Sequence, residues 1–162
     1  MNEPPSLRRA TAADAAAVCA LTRAVYAKWV AVVGREPLPM TADYERAVIE
    51  HVIDLLEEDG SLSALIEMAP ANDHLLIVNI AVRPDQQGRG IGDSLLRHAE
   101  RLAHSLGLDE IQLYTNAAMA PNLDFYGRRG YQEYRRGTTV PGTVTVFMRK
   151  KINLPECETE PS

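Results

Sequence analysis

Gln87-Gly88-Arg89-Gly90-Ile91-Gly92 stands between a strand-like run, Leu75 to Arg83, and a helix-like run, Gly92 to Leu106. Glycine permits left-handed backbone angles and close approach of a ligand. A glycine-rich turn that opens a helix exposes unpaired N–H groups at the positive end of the helix dipole, a setting suited to phosphate. The competing interpretation is a surface loop with accidental glycines, and the strand–loop–helix setting favours phosphate. Two familiar phosphate patterns are excluded by inspection. A P-loop requires G-x-x-x-x-G-K-[ST], whereas Asp93-Ser94 follows these glycines. A dinucleotide fingerprint requires G-x-G-x-x-G, whereas Asp93 holds the third glycine position.

Upstream, Ser6 to Ala10 reads as a short strand. Thr11 reads as the N-cap of a helix from about Ala12 to Val30, whose Val18, Leu21, Val25 and Trp29 recur at helical spacing. Gly34 to Pro39 reads as a loop, and Thr41 as the cap of a helix from Ala42 to Glu50. His51 to Glu57 and Ser61 to Met68 read as strands about the turn Glu58-Asp59-Gly60, and Ala69 to Asp73 turns into a strand from His74 to Val82. Downstream, Ile91, Leu95, Ala99, Leu102 and Leu106 share one helix face that Gly107 ends. Glu110 to Thr115 is a strand ended by Asn116, and Pro121 begins a short helix ended by Gly130. Tyr131 to Arg135 and Thr143 to Lys150 are antiparallel strands about Pro141-Gly142. The order β, α, α, β, β, β, α, β, α, β, β defines an α/β fold, with a mixed sheet and helices on its faces. A single domain is expected over 1–152. The Pro-, Glu-, Thr- and Ser-rich segment 153–162 is expected to be a disordered tail.

With 162 residues, 46% hydrophobic and 24% charged, the chain suits one soluble globular domain. The formal net charge of −5 argues against general binding to nucleic acid or an anionic membrane and is compatible with a cationic amine ligand. No basic-then-apolar leader opens the sequence and no apolar run reads as long enough to span a membrane, so the cytoplasm is the expected location. The cysteines, Cys19 and Cys157, are expected to be free thiols.

Gln87, Gly90 and Gly92 match the [QR]-x-x-G-x-[GA] acetyl-CoA loop of the GNAT superfamily of N-acetyltransferases, which the chain resembles. Ile77-Val78-Asn79-Ile80-Ala81-Val82-Arg83-Pro84 is similar to the strand and turn that precede that loop. Asn122-Leu123-Asp124-Phe125-Tyr126-Gly127-Arg128-Arg129-Gly130-Tyr131 is similar to the family's late Y-x-x-x-G-[FY] helix. The specific part of the resemblance covers about residues 74–132. It implies a mostly antiparallel central sheet with splayed strands at the cofactor site, the gap opening between Ile80 to Val82 and Leu113 to Asn116. It also implies acetyl-CoA as co-substrate and no metal. The acceptor it implies is the primary amine of a small molecule, with a peptide or protein amine as the alternative. A homodimer is compatible with it, as is a longer acyl group.

The resemblance distributes roles among the residues. The backbone from Gln87 through Gly88, Arg89, Gly90 and Ile91 to Gly92 would hold the pyrophosphate, with charge from Arg89. Ile80, Ala81 and Val82 would pair with the pantetheine arm like an added strand and offer an N–H to the thioester carbonyl. Tyr126 would protonate the departing thiolate, a phenol of pKa about 10 serving a thiol of about 8.5. Asn116 and Asn122 are candidates for bonding the pantetheine arm or for capping turns. Tyr26 and Trp29 are candidates for the acceptor side, where either could stack on a cation, or for core anchors. Freeing an alkylamine with pKa about 10.4 at pH 7 costs roughly 4–5 kcal/mol, so a base or water relay is expected. Many relatives carry Glu where this chain has Val78. Glu67 and His74 are the candidate bases by type and approximate location, Glu67 the first of them. Arg128-Arg129 and Arg135-Arg136 read as exposed faces. The absent acid at Val78 also motivates a second reading, an acyl-CoA-binding sensory module without turnover.

Overall fold

The computed structural model describes residues 6–153. Seven strands form one sheet in the order β1-β2-β3-β4-β5-β7-β6. They are β1 (Leu7–Arg9), β2 (Val52–Glu58), β3 (Ser61–Pro70), β4 (Leu75–Val82), β5 (Glu110–Asn116), β6 (Gln132–Val140) and β7 (Thr143–Lys151). Neighbours are antiparallel except β4 and β5, which run parallel. The helices are α1 (Ala15–Tyr26), α2 (Val30–Val33), α3 (Leu38–Thr41), α4 (Tyr44–Glu50), α5 (Ile91–Ser105) and α6 (Ala120–Gly127). At the β2–β3 hairpin, Asp59 and Gly60 take φ of 53° and 77°, the left-handed pair that matches the twist of a tight hairpin.

The sheet is covered on both faces. Leu95, Leu96, Ala99 and Ala103 of α5 pack with Ile66, Met68, Leu75, Ile77, Ile111 and Met148 on one side. Val18, Leu21 and Val25 of α1 and Tyr44 and Ala47 of α4 pack with Ile53, Leu55, Leu65 and Ala81 on the other. One irregularity governs the centre. Glu67 pairs with Asn79 but Met68 pairs with Ile77, which leaves Val78 as an extra residue in β4. A bulge of this kind reverses the facing of everything beyond it. Leu75 and Ile77 before it, and Ile80 and Val82 after it, therefore all turn toward the α5 layer, while Ala81 turns toward α1 and α4.

Several boundaries differ from the sequence expectation. The first helical run does not stop at Val30. It passes through a tighter turn at Ala27–Trp29 into α2 and ends at Gly34, whose φ of 87° suits a left-handed cap. Within the expected loop, the prolines at 37 and 39 start the short α3. Helix α4 is capped by Asp43, whose carboxylate accepts from the Arg46 amide at 3.2 Å, rather than by Thr41, whose hydroxyl donates to the Leu38 carbonyl at 3.2 Å. Strand β6 continues to Val140 because β7 supplies its partners from Thr143 to Arg149, although Arg135 to Thr138 lack an apolar rhythm. The reading that no segment could span a membrane is also corrected. Residues Ala12–Val33 form a helical run long and apolar enough by length and composition. Here Val18, Leu21 and Val25 of that run are buried against the sheet. The expected tail lies, from residue 154 on, outside the described residues, as does Cys157; Cys19 is a free thiol.

Leu95 is fully buried in the α5 layer, while Ile49 is 77% exposed. Leu95→Ala should destabilise the fold by about 2–5 kcal/mol in urea unfolding, and Ile49→Ala should change it by no more than about 0.5 kcal/mol.

Candidate active site

Beyond the bulge the parallel pair comes apart. Strands β4 and β5 pair from Leu75–Ile111 to Ile77–Leu113 and no further, while β4 stays bonded to β3 up to Val82 and β5 to β7 up to Asn116. The facing backbone edges of Val78 to Val82 and Tyr114 to Asn116 are thus left without strand partners. Unpaired backbone groups need a ligand, water or side chain.

The glycine segment closes the end of β4. Gly88 and Gly90 both have φ of 80°, and Gly90 is the left-handed residue before the first turn of α5. Gln87 holds the loop to the strand, its Nε2 donating to the Val82 carbonyl at 3.0 Å. The N–H groups of the first turn, Ile91 to Asp93, lack helical acceptors. Asp93 places a carboxylate there, but Arg129 meets it at 3.0 Å and Arg97 at 3.0 Å, so the local balance remains positive. Gly92 packs closely: a Cβ there would lie 3.0 Å from Phe125 Cζ, and the ring would have to shift. Phe125 in turn carries the Arg129 guanidinium 3.8 Å above its ring.

Two clefts meet at the parted strands. The first, about 610 Å³, lies between the glycine segment, Trp29, Ile80, Val82, Asn122 and Tyr126. The second, about 80 Å³, lies between the 33–39 segment, Val78 and the ends of β5 and β7. Tyr26 lines both. Its hydroxyl donates to Asn79 Oδ1 at 3.0 Å and lies 3.4 Å from the Ile80 carbonyl. Asn79 is buried and its Nδ2 donates to Thr22 Oγ1 at 3.1 Å and reaches Tyr44 Oη at 3.4 Å, while the Tyr44 hydroxyl donates to the Pro39 carbonyl at 2.6 Å. Burial raises the pKa of Tyr26, and that of Tyr44 to about 12, so both are neutral donors across the ordinary pH range.

Tyr126 lines the first cleft, and burial pushes the pKa of its hydroxyl up to about 12. That hydroxyl has no hydrogen-bond partner among the described residues. The ring is fixed edge-on by Phe125 at 5.3 Å and Tyr131 at 5.9 Å. The result is a positioned, protonated phenol with a free donor beside a cleft.

The remaining sequence candidates fall in several places. Ile91 and Asn122 line the first cleft, and Asn122 Nδ2 contacts Met119 Sδ at 3.6 Å. Trp29 lines this first cleft rather than the second. Asn116 lines the second cleft, and its Oδ1 accepts from the Ala118 amide at 2.8 Å, a turn role. Ala81 offers only backbone to the gap, because the bulge turns its side chain to the α1 layer. Arg89 is exposed and bonded to Gln86; Arg129, expected on an exposed face, stands at the start of α5 instead. Glu67 is not an exposed strand residue: it is 3% exposed, its carboxylate bonds His51 Nδ1 at 2.6 Å, and it lines neither cleft. His74 bonds Asp73 at the start of β4, about 20 Å along the strand from Ile80. Sequence reading missed the role of Asn79 as a buried hub; an Asn inside an apolar strand was the available signal.

Residues 19–131 match the Acetyltransferase (GNAT) family, and the chain belongs to it. It is 35% identical over 98 residues to the streptothricin acetyltransferase of Streptomyces lavendulae, a match covering 56% of this chain and 52% of that protein. It is 31% identical over 77 residues to the mycothiol acetyltransferase of Clavibacter michiganensis, covering 48% of this chain and 25% of that one. The chain thus spans about half, or less, of the length of these relatives. Among solved structures, PaiA N-acetyltransferase of Thermoplasma acidophilum in complex with coenzyme A superimposes with a TM-score of 0.76 at 18% identity, over 90% of this chain and 98% of that one, and shares the fold.

Asn79→Ala should strip partners from the buried hydroxyls of Tyr26, Thr22 and Tyr44. A loss of about 1–3 kcal/mol in chemical unfolding is expected.

Proposed function

We propose that the chain moves an acetyl group from acetyl-CoA to the primary amine of a small molecule, by direct attack within a ternary complex. The observation that carries this reading is the parting of β4 from β5 beyond Ile77 and Leu113, with a glycine-built helix start at one end and a second cleft on the far side of Tyr26. The coenzyme A held by the PaiA structure supports the donor, and the streptothricin and mycothiol relatives support a small-molecule acceptor.

The N–H groups of Ile91 and Gly92 take the pyrophosphate, with Arg129 as the nearby cation. The free edge of Ile80 to Val82 bonds the pantetheine amides as a missing strand would, and an N–H of that edge polarises the thioester carbonyl. The amine arrives through the second cleft and attacks the carbonyl carbon beside Tyr26. The new C–N bond forms as the C–S bond breaks; the amine loses a proton to water, and Tyr126 donates to the leaving thiolate and regains its own proton from that water. Cys19 lines neither cleft, which favours direct attack over an acyl-enzyme. With Val78 at the bulge and Glu67 and His74 outside both clefts, water in the second cleft carries the amine proton away.

Calorimetry with acetyl-CoA, using free CoA and ATP as controls, tests the donor, and thiol release with an amine panel tests transfer. Tyr126→Phe should lower kcat about a hundredfold while acetyl-CoA still binds; full activity would remove the acid role. Because burial holds the Tyr126 pKa at about 12, the neutral donor persists. The kcat/KM profile should therefore rise with amine deprotonation and show no falling limb from this group between pH 7 and about 10. The sensory reading, which Val78 favours, ends with turnover of any amine.

A further inference from the structure

The second cleft limits what the acceptor can be, if the chain is the acetyltransferase proposed above. The inner space of this partly open cleft, about 80 Å³, contrasts with about 610 Å³ on the glycine side. At about 10–15 Å³ for each atom the size of a water, it admits on the order of five to eight non-hydrogen atoms. Val33, Leu38, Val78, Tyr114 and Met119 supply apolar walls. Arg35 lines one side, its guanidinium crossing from the 34–39 segment to donate to the Pro141 carbonyl in the β6–β7 turn.

The charges on the walls are few, and the one carboxylate among them is already paired. Arg35 and Glu36 line the cleft. Glu36 accepts from Arg23 at 2.7 and 3.3 Å, an ion pair that lowers its pKa, and Arg23 stands outside the cleft with a further bond to the Met40 carbonyl at 2.8 Å. The Glu36 charge is thus matched by Arg23, and Arg35 adds a positive charge to the lining. The first ammonium of an acceptor is the reacting group and is consumed by deprotonation. Every further ammonium would leave water for a cleft whose polar lining beyond Glu36 and Arg35 is uncharged, Tyr26, Thr115, Asn116, Thr143 and Thr145, with no unpaired carboxylate to meet it.

We infer that the acceptor is a compact monoamine with a mainly apolar body, and that polycationic amines, streptothricin included, are poor acceptors for this chain. The apolar walls exclude water around the amine, and the balanced Arg23–Glu36 pair sets the discrimination.

The test is thiol release from acetyl-CoA with isopentylamine and benzylamine against spermidine and streptothricin, alongside calorimetry of acetyl-CoA alone. The monoamines should exceed both polycations in kcat/KM by about tenfold or more. Arg23→Gln, which leaves Glu36 unpaired, should narrow that ratio by about two- to fivefold. Spermidine or streptothricin turned over as well as the monoamines would overturn the inference and leave acetyl transfer standing. An unchanged ratio in Arg23→Gln would overturn it too, and so would acetyl-CoA binding without turnover of either monoamine. A folded sample that does not bind acetyl-CoA would overturn the acetyl-transfer reading and this inference together.

Discussion

The break in pairing between β4 and β5 is the constraint on which the site depends. A sheet gains by satisfying every backbone donor and acceptor, yet here two central strands share three residue pairs and then separate. Each strand keeps its outer neighbour, so the separation leaves only the inner edges open. A polar edge flanked by the apolar residues Ile80 and Val82 is a template for an amide-bearing chain. The bulge at Val78 stands where the strands diverge. It turns Asn79 away from the gap and into the α1–α4 layer, where the side chain finds Thr22, Tyr26 and Tyr44.

That inward turn links packing to chemistry. A buried carboxamide is costly unless bonded, and Asn79 is bonded at both its oxygen and its nitrogen. The bond to Tyr26 fixes the one side chain that lines both clefts. Helix α1 is thereby more than a cover for the sheet: its last turn supplies the partition between the two clefts.

The electrostatics follow a consistent design. The start of α5 carries a carboxylate, Asp93, where an anion would bind, and two arginines compensate it. One of these, Arg129, is stacked on Phe125, which the absence of a side chain at Gly92 admits. Deeper in, desolvation keeps Tyr26 and Tyr126 protonated. They are therefore hydrogen-bond donors and not bases.

The sequence by itself determined the glycine loop, the strand before it, the helix after it and the late tyrosine helix. Each is a local feature: backbone freedom at Gly88 and Gly90, apolar spacing along α5, and a tyrosine at a fixed distance from Gly130. The apolar run of β4 continues unbroken through Val78, so the bulge left no mark on it, and the burial of Glu67 depended on which face the paired strands presented. Long-range register decided both. The placement of Arg129 at the start of α5, of Trp29 beside the glycine segment, and of the 33–39 segment against the β6–β7 turn required the helices to be docked on the sheet. Residues distant along the chain become neighbours only through that packing, and spacing within one segment holds no record of it.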